Sequence, residues 1–98
     1  MAHPYKLSKN LERVIEKLSK KDKDAYKQIL NKIEEIINCK DPEHYKNLRN
    51  PLQRFKSVHI KKSFVLVFSY DKQKDLLYFT DYDHHDNIYG KSLNRFFS

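Results

Sequence analysis

The first half of the chain carries its apolar residues at helical spacing. Leu11, Ile15 and Leu18 recur every three to four positions, and Ser8 before them is suited to cap a helix. A second apolar stripe begins after the polar corner "SKKDKD" and ends before the Asp-Pro pair at 41–42, a typical helix stop. Its members are Tyr26, Ile29, Leu30, Ile33, Ile36 and Ile37. The pattern predicts a hairpin of two amphipathic helices, with one apolar side that a sheet or a partner must cover.

The second half changes to short runs rich in β-branched and aromatic residues. The runs "FKSVHI", "SFVLVFSY" and "LLYFTDY" are separated by the polar turns "KKS" and "DKQKD", and they predict a three-stranded antiparallel meander. The segment Tyr5–Leu7 is a weaker candidate for a further strand. In the last run, alternation places Leu77 and Phe79 on one face together with Asp81. The predicted fold class is α+β, an N-terminal helical hairpin packed on an antiparallel β-sheet of three to four strands, with the opposite face open to a ligand.

The distribution of positive charge along the chain predicts the kind of partner that the protein binds. Lys and Arg number 20 against 13 Asp and Glu, a net charge of +7, and the stretch from His44 to Lys62 contains no acid. The cations in that stretch are Lys46, Arg49, Arg54, Lys56, Lys61 and Lys62. A local excess of positive charge attracts a polyanion, and nucleic acid is the commonest one in cytoplasm. A solvated, lysine-rich surface without a binding role is the alternative interpretation.

The length and composition of the chain limit its domain number, its relation to membranes and its cellular compartment. We expect a single domain over residues 1–98, because no repeat or linker divides the chain. The apolar runs are far shorter than the roughly 20 residues that span a bilayer. Cys39 is the one cysteine, so an internal disulfide is excluded, and the N-terminus has no apolar signal region. These features favour a cytoplasmic protein with no membrane partner.

Candidate chemistry is concentrated in "DYDHHDNIYG", residues 81–90. An EF-type calcium loop would need a glycine at its turn and a closing glutamate, and adjacent His84 and His85 would diverge on a strand rather than share a zinc ion. We therefore expect no metal and no cofactor. If a helical turn follows Asp83, His85 and Tyr89 lie on one side of it at positions i and i+4. A polar strand end without chemistry is the alternative.

A second interpretation of residues 81–90 is a proton-transfer site that includes His59. His59 shares a strand face with Phe55 and Ser57, and from there it could approach His85 across the sheet. Imidazoles exchange protons near neutral pH, and nearby cations stabilise the charge that develops on a phosphate. Tyr89 could stack on a base, or it could close the core beside Ile88, and His59 alone could be a structural surface residue. Together they are the parts of a metal-free ribonuclease.

The order of elements, the stretch "LRNPLQRFKSVHI" from Leu48 to Ile60 and the ending "DYDHHDNIY" resemble the RelE/ParE superfamily of type II toxin-antitoxin modules, particularly its RelE and YafQ branch. The resemblance covers nearly the whole chain. It implies a microbial RNase-like fold, cleavage of mRNA in the ribosomal A site to a 2′,3′-cyclic phosphate, and a hetero-oligomer with an acidic, RelB-like antitoxin. The catalytic residues that it implies are His85, His59, Lys56 and Tyr89. The RNA-binding residues expected from the charge pattern and the resemblance are Lys46, Arg49, Arg54, Lys61, Lys62 and His84.

Some positions depart from the pattern of that superfamily. Val65 stands where RelE members carry an arginine in the middle strand, and Asp81 and Asp83 stand where relatives often place a basic group. A phosphorane with fewer cations around it is less well stabilised. Two other functions therefore stay open: a non-catalytic binder such as a ParE-like inhibitor of DNA gyrase, and a degenerate toxin kept for antitoxin binding. The histidine-rich ending argues against the gyrase inhibitor.

Overall fold

A computed structural model of the chain describes residues 2–48, 53–61 and 63–88, and the backbone of residues 89 and 90. The predicted helical hairpin and the three predicted strands are present, and the weaker N-terminal strand also forms. In chain order the elements are β1 (Tyr5–Leu7), α1 (Lys9–Lys21), α2 (Lys23–Ile37), a 3-10 turn (Pro42–His44), β2 (Lys56–Lys61), β3 (Phe64–Asp71), β4 (Leu76–His84) and α3 (His85–Gly90). The longest helix in the described part of the chain, α2, has 15 residues, which is too short to span a bilayer.

The strands form one mixed sheet in the order β1-β4-β3-β2. The pairs β2-β3 and β3-β4 are antiparallel, as the meander predicts. Strand β1 instead pairs in parallel with β4, with Tyr5 opposite Leu77. The long connection through the helices makes this parallel pairing possible, since parallel neighbours cannot be joined by a tight turn. The sequence predicted the additional strand but not its direction.

Both helices begin at side-chain caps. The hydroxyl of Ser8 accepts a hydrogen bond from the Leu11 backbone at 3.0 Å and donates one to the Thr80 carbonyl at 2.6 Å. The cap of α1 is therefore tied to β4. Asp22 caps α2 by accepting from the Ala25 backbone at 3.1 Å. Each cap satisfies a backbone donor that the helix itself leaves unpaired.

The sheet is packed on both faces. The helical hairpin covers one face and forms the main core of Leu11, Ile29, Ile33, Ile36, Leu66, Phe68, Leu77, Phe79 and Tyr82. A second, smaller core of Leu48, Phe55, Val65, Val67 and Ile88 lies on the other face. We call these two sides the helix face and the open face. The ligand-accessible surface is therefore narrower than expected, because Ile88 of α3 covers part of the open face.

A β-bulge in β4 decides which residues reach each face. The register runs from Val67 opposite Asp81 to Phe68 opposite Phe79, which leaves Thr80 as an extra residue. The Thr80 hydroxyl donates to the Val67 carbonyl at 3.2 Å and holds this geometry.

The bulge changes the strand face that simple alternation predicts. Tyr82, rather than Asp81, continues the row of Leu77 and Phe79 in the main core. The prediction that Asp81 shares their face was wrong, because the extra residue shifts the alternation by one position. Asp81 is instead buried, and its carboxylate accepts from the Asn10 side chain at 3.1 Å.

His3 fastens the N-terminus to the end of the sheet that lies away from α3. Its Nδ1 lies 2.6 Å from Asp75 Oδ1, and its Nε2 lies 2.7 Å from the Cys39 carbonyl oxygen. Tyr70 donates its hydroxyl proton to the same Asp75 oxygen at 2.7 Å. Because both ring nitrogens of His3 face acceptors, only the imidazolium satisfies both contacts. The hydrogen bond to Asp75 raises the pKa of His3. The pKa of Asp75 is lowered, mostly by the hydrogen bond from Tyr70 and to a smaller extent by the hydrogen bond from His3.

This contact predicts a stability that falls as the pH rises through neutrality. A raised folded-state pKa means that His3 contributes its full stabilisation below about pH 6.5, the ordinary value for histidine, and loses it as the pH passes the folded-state pKa. Urea unfolding across this range should show the decline in the wild-type protein and a weaker decline in His3→Gln. The control His44→Gln makes the same substitution at an exposed histidine of the 3-10 turn, so a change of slope that is specific to His3→Gln is attributed to the contact with Asp75. Equal slopes for wild type and His3→Gln would contradict the prediction.

Candidate active site

The open face brings two of the predicted catalytic residues together. His59 lies on β2 opposite Val65, and His85 begins α3 directly after β4. Their ring centroids are 6.3 Å apart, and the ring planes differ by 15°. Both side chains are exposed, so a ligand can reach the two imidazoles at the same time.

Local hydrogen bonds fix the start of α3 and therefore the position of His85. The His85 backbone N–H donates to the Ser63 carbonyl at 2.6 Å, which ties α3 to the turn between β2 and β3. Asp83 accepts from the His84 backbone at 2.7 Å and from the Asn87 side chain at 3.2 Å. Asp83 thus organises the first turn of α3, a role that its position in the sequence did not indicate.

His84 points away from this pair. Its ring packs edge-on against Phe64 at 5.6 Å, and Phe64 stacks on Tyr82 of the main core at 5.4 Å. Its Nδ1 also accepts from the Asp86 backbone at 3.2 Å. The two adjacent histidines diverge as the sequence predicts, and these contacts do not support the expected role of His84 in RNA binding.

Lys56 lies on the helix face, opposite Phe68, and only 7% of its surface is exposed. Its ammonium group donates to Asn47 Oδ1 at 2.7 Å, to the Tyr45 carbonyl at 3.1 Å and to the Glu43 carbonyl at 3.5 Å. An ammonium group has three protons, and all three have acceptors here. The geometry does not support the expected catalytic role of Lys56, because Lys56 and His59 are on opposite faces of the sheet.

Lys46, unlike Lys56, lies on the open face, which carries the two histidines. Asn47 forms a bridge with Lys56, and the Lys46 carbonyl accepts from the Ser57 backbone at 3.3 Å. Since neighbouring residues of an extended segment alternate in direction and Leu48 packs in the core of the open face, Lys46 belongs to that face too. Its exposed side chain lies beside the row of β2 that carries Ser57 and His59.

The other predicted contacts with RNA fall into three groups. Arg54 is exposed, with its guanidinium carbon 6.0 Å from the centre of the Phe55 ring. Lys61 pairs with two acids at the hairpin corner, Asp24 at 3.1 Å and Asp22 at 3.6 Å, and the hydrogen bond to Asp24 raises the pKa of Lys61. This pairing holds the Lys61 ammonium group at the hairpin corner. The expectations for Arg49, Lys62 and the side chain of Tyr89 lie outside the described residues.

Comparison with known proteins connects this geometry to a family. No family model matches the chain. A protein of Methanocaldococcus jannaschii named "Putative toxin RelE4" is 54% identical over 82 residues, which are 84% of this chain and 85% of that protein. The chain belongs to the RelE/ParE superfamily of toxins.

Solved structures of RelE-like toxins share its fold. The YoeB dimer of Staphylococcus aureus matches with a TM-score of 0.71 at 17% identity, over 87% of this chain and 99% of that one. The RelBE2 toxin-antitoxin complex of Mycobacterium tuberculosis matches with a TM-score of 0.68 at 15% identity, over 86% of this chain and 92% of that one. The prediction of a RelE-like α+β fold is confirmed.

The middle strand of this RelE-like protein differs from the expected pattern in a specific way. Val65, at the position expected for an arginine, is 2% exposed and packs in the core with Val67 and Ile88. An arginine here would have to enter the apolar contact between β3 and α3. Val65 is therefore a packed core residue, and no space for an arginine side chain is left at its position.

The described residues contain no group of three or more His, Cys, Asp or Glu side chains that could hold a metal ion. The groups that the open face brings together are the two imidazoles and Lys46 beside them. Sequence reasoning missed Asn47, which receives the Lys56 ammonium, and Ser63, which fixes the start of α3. Neither contact has a signal in the sequence, because each joins segments whose register only the folded sheet defines.

Proposed function

We propose that this protein is the toxin of a toxin-antitoxin module and that it cuts mRNA bound to the ribosome. The observation that carries the proposal is the approach of His59 and His85 to 6.3 Å on an exposed face, in a chain of the RelE/ParE superfamily. Acid-base catalysis by two imidazoles suits cleavage of RNA, because the ribose 2′-hydroxyl supplies the nucleophile and no cofactor is required.

In the proposed reaction, one imidazole removes the proton of a ribose 2′-hydroxyl while its oxygen attacks the adjacent phosphorus. The bond from phosphorus to the 5′-oxygen of the next nucleotide breaks, and the second imidazole gives that oxygen a proton. The products are a 2′,3′-cyclic phosphate and a free 5′-hydroxyl. Because the rings are nearly parallel and their centroids are 6.3 Å apart, one phosphodiester lying along the ring edges can meet the nitrogens of both imidazoles.

Lys46 is the cation that we assign to the reacting phosphate. It lies on the open face beside the β2 residues Ser57 and His59. Its ammonium group can stabilise the negative charge that develops on the phosphate oxygens. Arg54 adds positive charge farther along the same acid-free segment. The ribosome supplies the single-stranded substrate, and bases of single strands are accessible to side chains in a way that paired bases are not.

The expected partner in the resting state is an antitoxin. One structural neighbour is a toxin in complex with its antitoxin, and the net charge of +7 favours an acidic segment that covers the basic surface. Such a segment can be disordered on its own and become ordered on binding. A toxin-antitoxin hetero-oligomer follows from this pairing.

The direct test is primer extension on an mRNA translated in vitro with and without the protein. We expect cuts within codons at the ribosomal A site, and upstream fragments whose 3′ ends resist ligation until a phosphatase that opens cyclic phosphates is added. The same mRNA without ribosomes should remain intact. If a folded protein leaves the translated mRNA uncut, the proposed activity is wrong and a non-catalytic toxin becomes the better explanation.

A further inference from the structure

A second concave surface adjoins the histidine pair. It is an open groove of about 280 Å³ between α2 and β2, lined by Gln28, Asn31, Lys32, Glu35, His59 and Ile60. Within the described part of the chain, β2 is an outer strand, so the groove runs along the edge of the sheet. His59 is shared by the two surfaces, because its ring stacks with His85 on the open face and the residue also contributes to the lining of the groove. The groove therefore begins at a residue of the histidine pair, at the edge of the sheet.

The lining favours a polar, uncharged group over a phosphate. Lys32 and Glu35 form an ion pair at 2.7 Å, which leaves the groove close to neutral. Phosphates in protein-RNA contacts are held mainly by unpaired cations, whereas the edge of a base presents neighbouring donors and acceptors. The amides of Gln28 and Asn31 each offer both a donor and an acceptor. This chemistry matches the edge of a nucleobase.

One of the two amides is held in a fixed orientation. Gln28 donates its Nε2 to Asp24 at 2.9 Å, and Lys61 contacts the same Asp24 oxygen at 3.1 Å. With one amino proton engaged, the carbonyl oxygen of Gln28 can accept from a ligand and its second amino proton can donate to one. Lys61 thus contacts the same carboxylate that holds the Gln28 amide.

We propose that this groove binds the base of the nucleotide next to the cleaved phosphate and thereby influences which codon positions are cut. The inference rests on the proposed function, since it takes the RNA between His59 and His85 as its starting point. A single-stranded substrate can place one base in the groove while the adjacent phosphate stays between the imidazoles. Gln28 and Asn31 are then residues that determine specificity.

Cleavage mapping tests the inference on the ribosome. The variants Gln28→Ala and Asn31→Ala should each change the preference among bases beside the cut by roughly 2- to 10-fold, the effect of losing one hydrogen bond, while total cleavage changes less. The matched control is Gln73→Ala, which removes an exposed amide from the turn between β3 and β4. An unchanged preference in both groove variants would overturn the inference while the proposed nuclease activity stands.

A binding measurement separates failure of the groove from failure of the nuclease. Titration of ¹⁵N-labelled protein with a trinucleotide that carries 2′-deoxyribose at the cleavage position should shift the side-chain amide signals of Gln28 and Asn31, but not that of Gln73. Shifts at the groove from a protein that never cuts mRNA would keep the base site and reject the activity. Shifts at His59 without shifts of the groove amides, or no shifts at all, would reject the base site.

Discussion

Replacing His85 by alanine is expected to lower ribosome-dependent mRNA cleavage by about 10²- to 10⁴-fold, the usual contribution of a positioned general acid or base. His59→Ala should have a loss of similar size, because the proposed reaction needs one proton acceptor and one proton donor. Both side chains are exposed, so neither change should disturb the fold. Primer extension on an mRNA translated in vitro gives the rates.

The chain provides an unusually close control for this experiment. His84 is adjacent to His85, but its ring packs against Phe64 on the other side of the sheet. His84→Ala should therefore keep cleavage within a few-fold of wild type, although it removes the same side chain one residue away. If His84→Ala and His85→Ala lose activity equally, the loss comes from disturbance of α3 and not from removal of a catalytic group.

The double variant tests whether the two imidazoles act as one unit. Groups that catalyse a single step together show strongly non-additive losses. The His59→Ala, His85→Ala protein should therefore be only slightly less active than either single variant. Multiplication of the two losses would indicate independent roles and would contradict the proposed acid-base pair.

The sequence predicted the helices and strands because their signals are local. Periods of three to four residues and of two residues follow from the geometry of each element, and they do not depend on what the element packs against. The approach of His59 to His85 could also be predicted, because the antiparallel meander places the start of β3 between the two residues. What local signals could not supply was the extra residue Thr80 in β4, which changes the face of the residues that follow it.

Charge counting along the chain was misleading for a different physical reason. The acid-free segment from His44 to Lys62 suggested that all its cations face a polyanion. Lys61 is paired with acids from the hairpin corner, nearly 40 residues earlier in the chain, and Lys56 is enclosed by backbone carbonyls. Only the tertiary structure brings these partners together. Strand alternation did contain the clue for Lys56, because it places Lys56 and His59 on opposite faces.

Lys56→Met is expected to destabilise the fold by about 2–4 kcal/mol, because the change removes a buried ammonium group with three hydrogen bonds and leaves its acceptors unsatisfied. Those acceptors belong to the segment that carries Lys46, so Lys56 holds that segment against β2. Urea unfolding of the purified protein gives the change in free energy.

Lys46→Met is the matched control, with the same substitution at an exposed lysine ten residues earlier. It should leave the free energy of unfolding within about 0.5 kcal/mol of wild type but slow mRNA cleavage, because it removes the cation assigned to the phosphate. The two lysines thus predict opposite outcomes, a loss of stability at Lys56 and a loss of activity at Lys46. A Lys56→Met protein that is as stable as wild type and yet inactive would reverse the assignment and return Lys56 to the catalytic site.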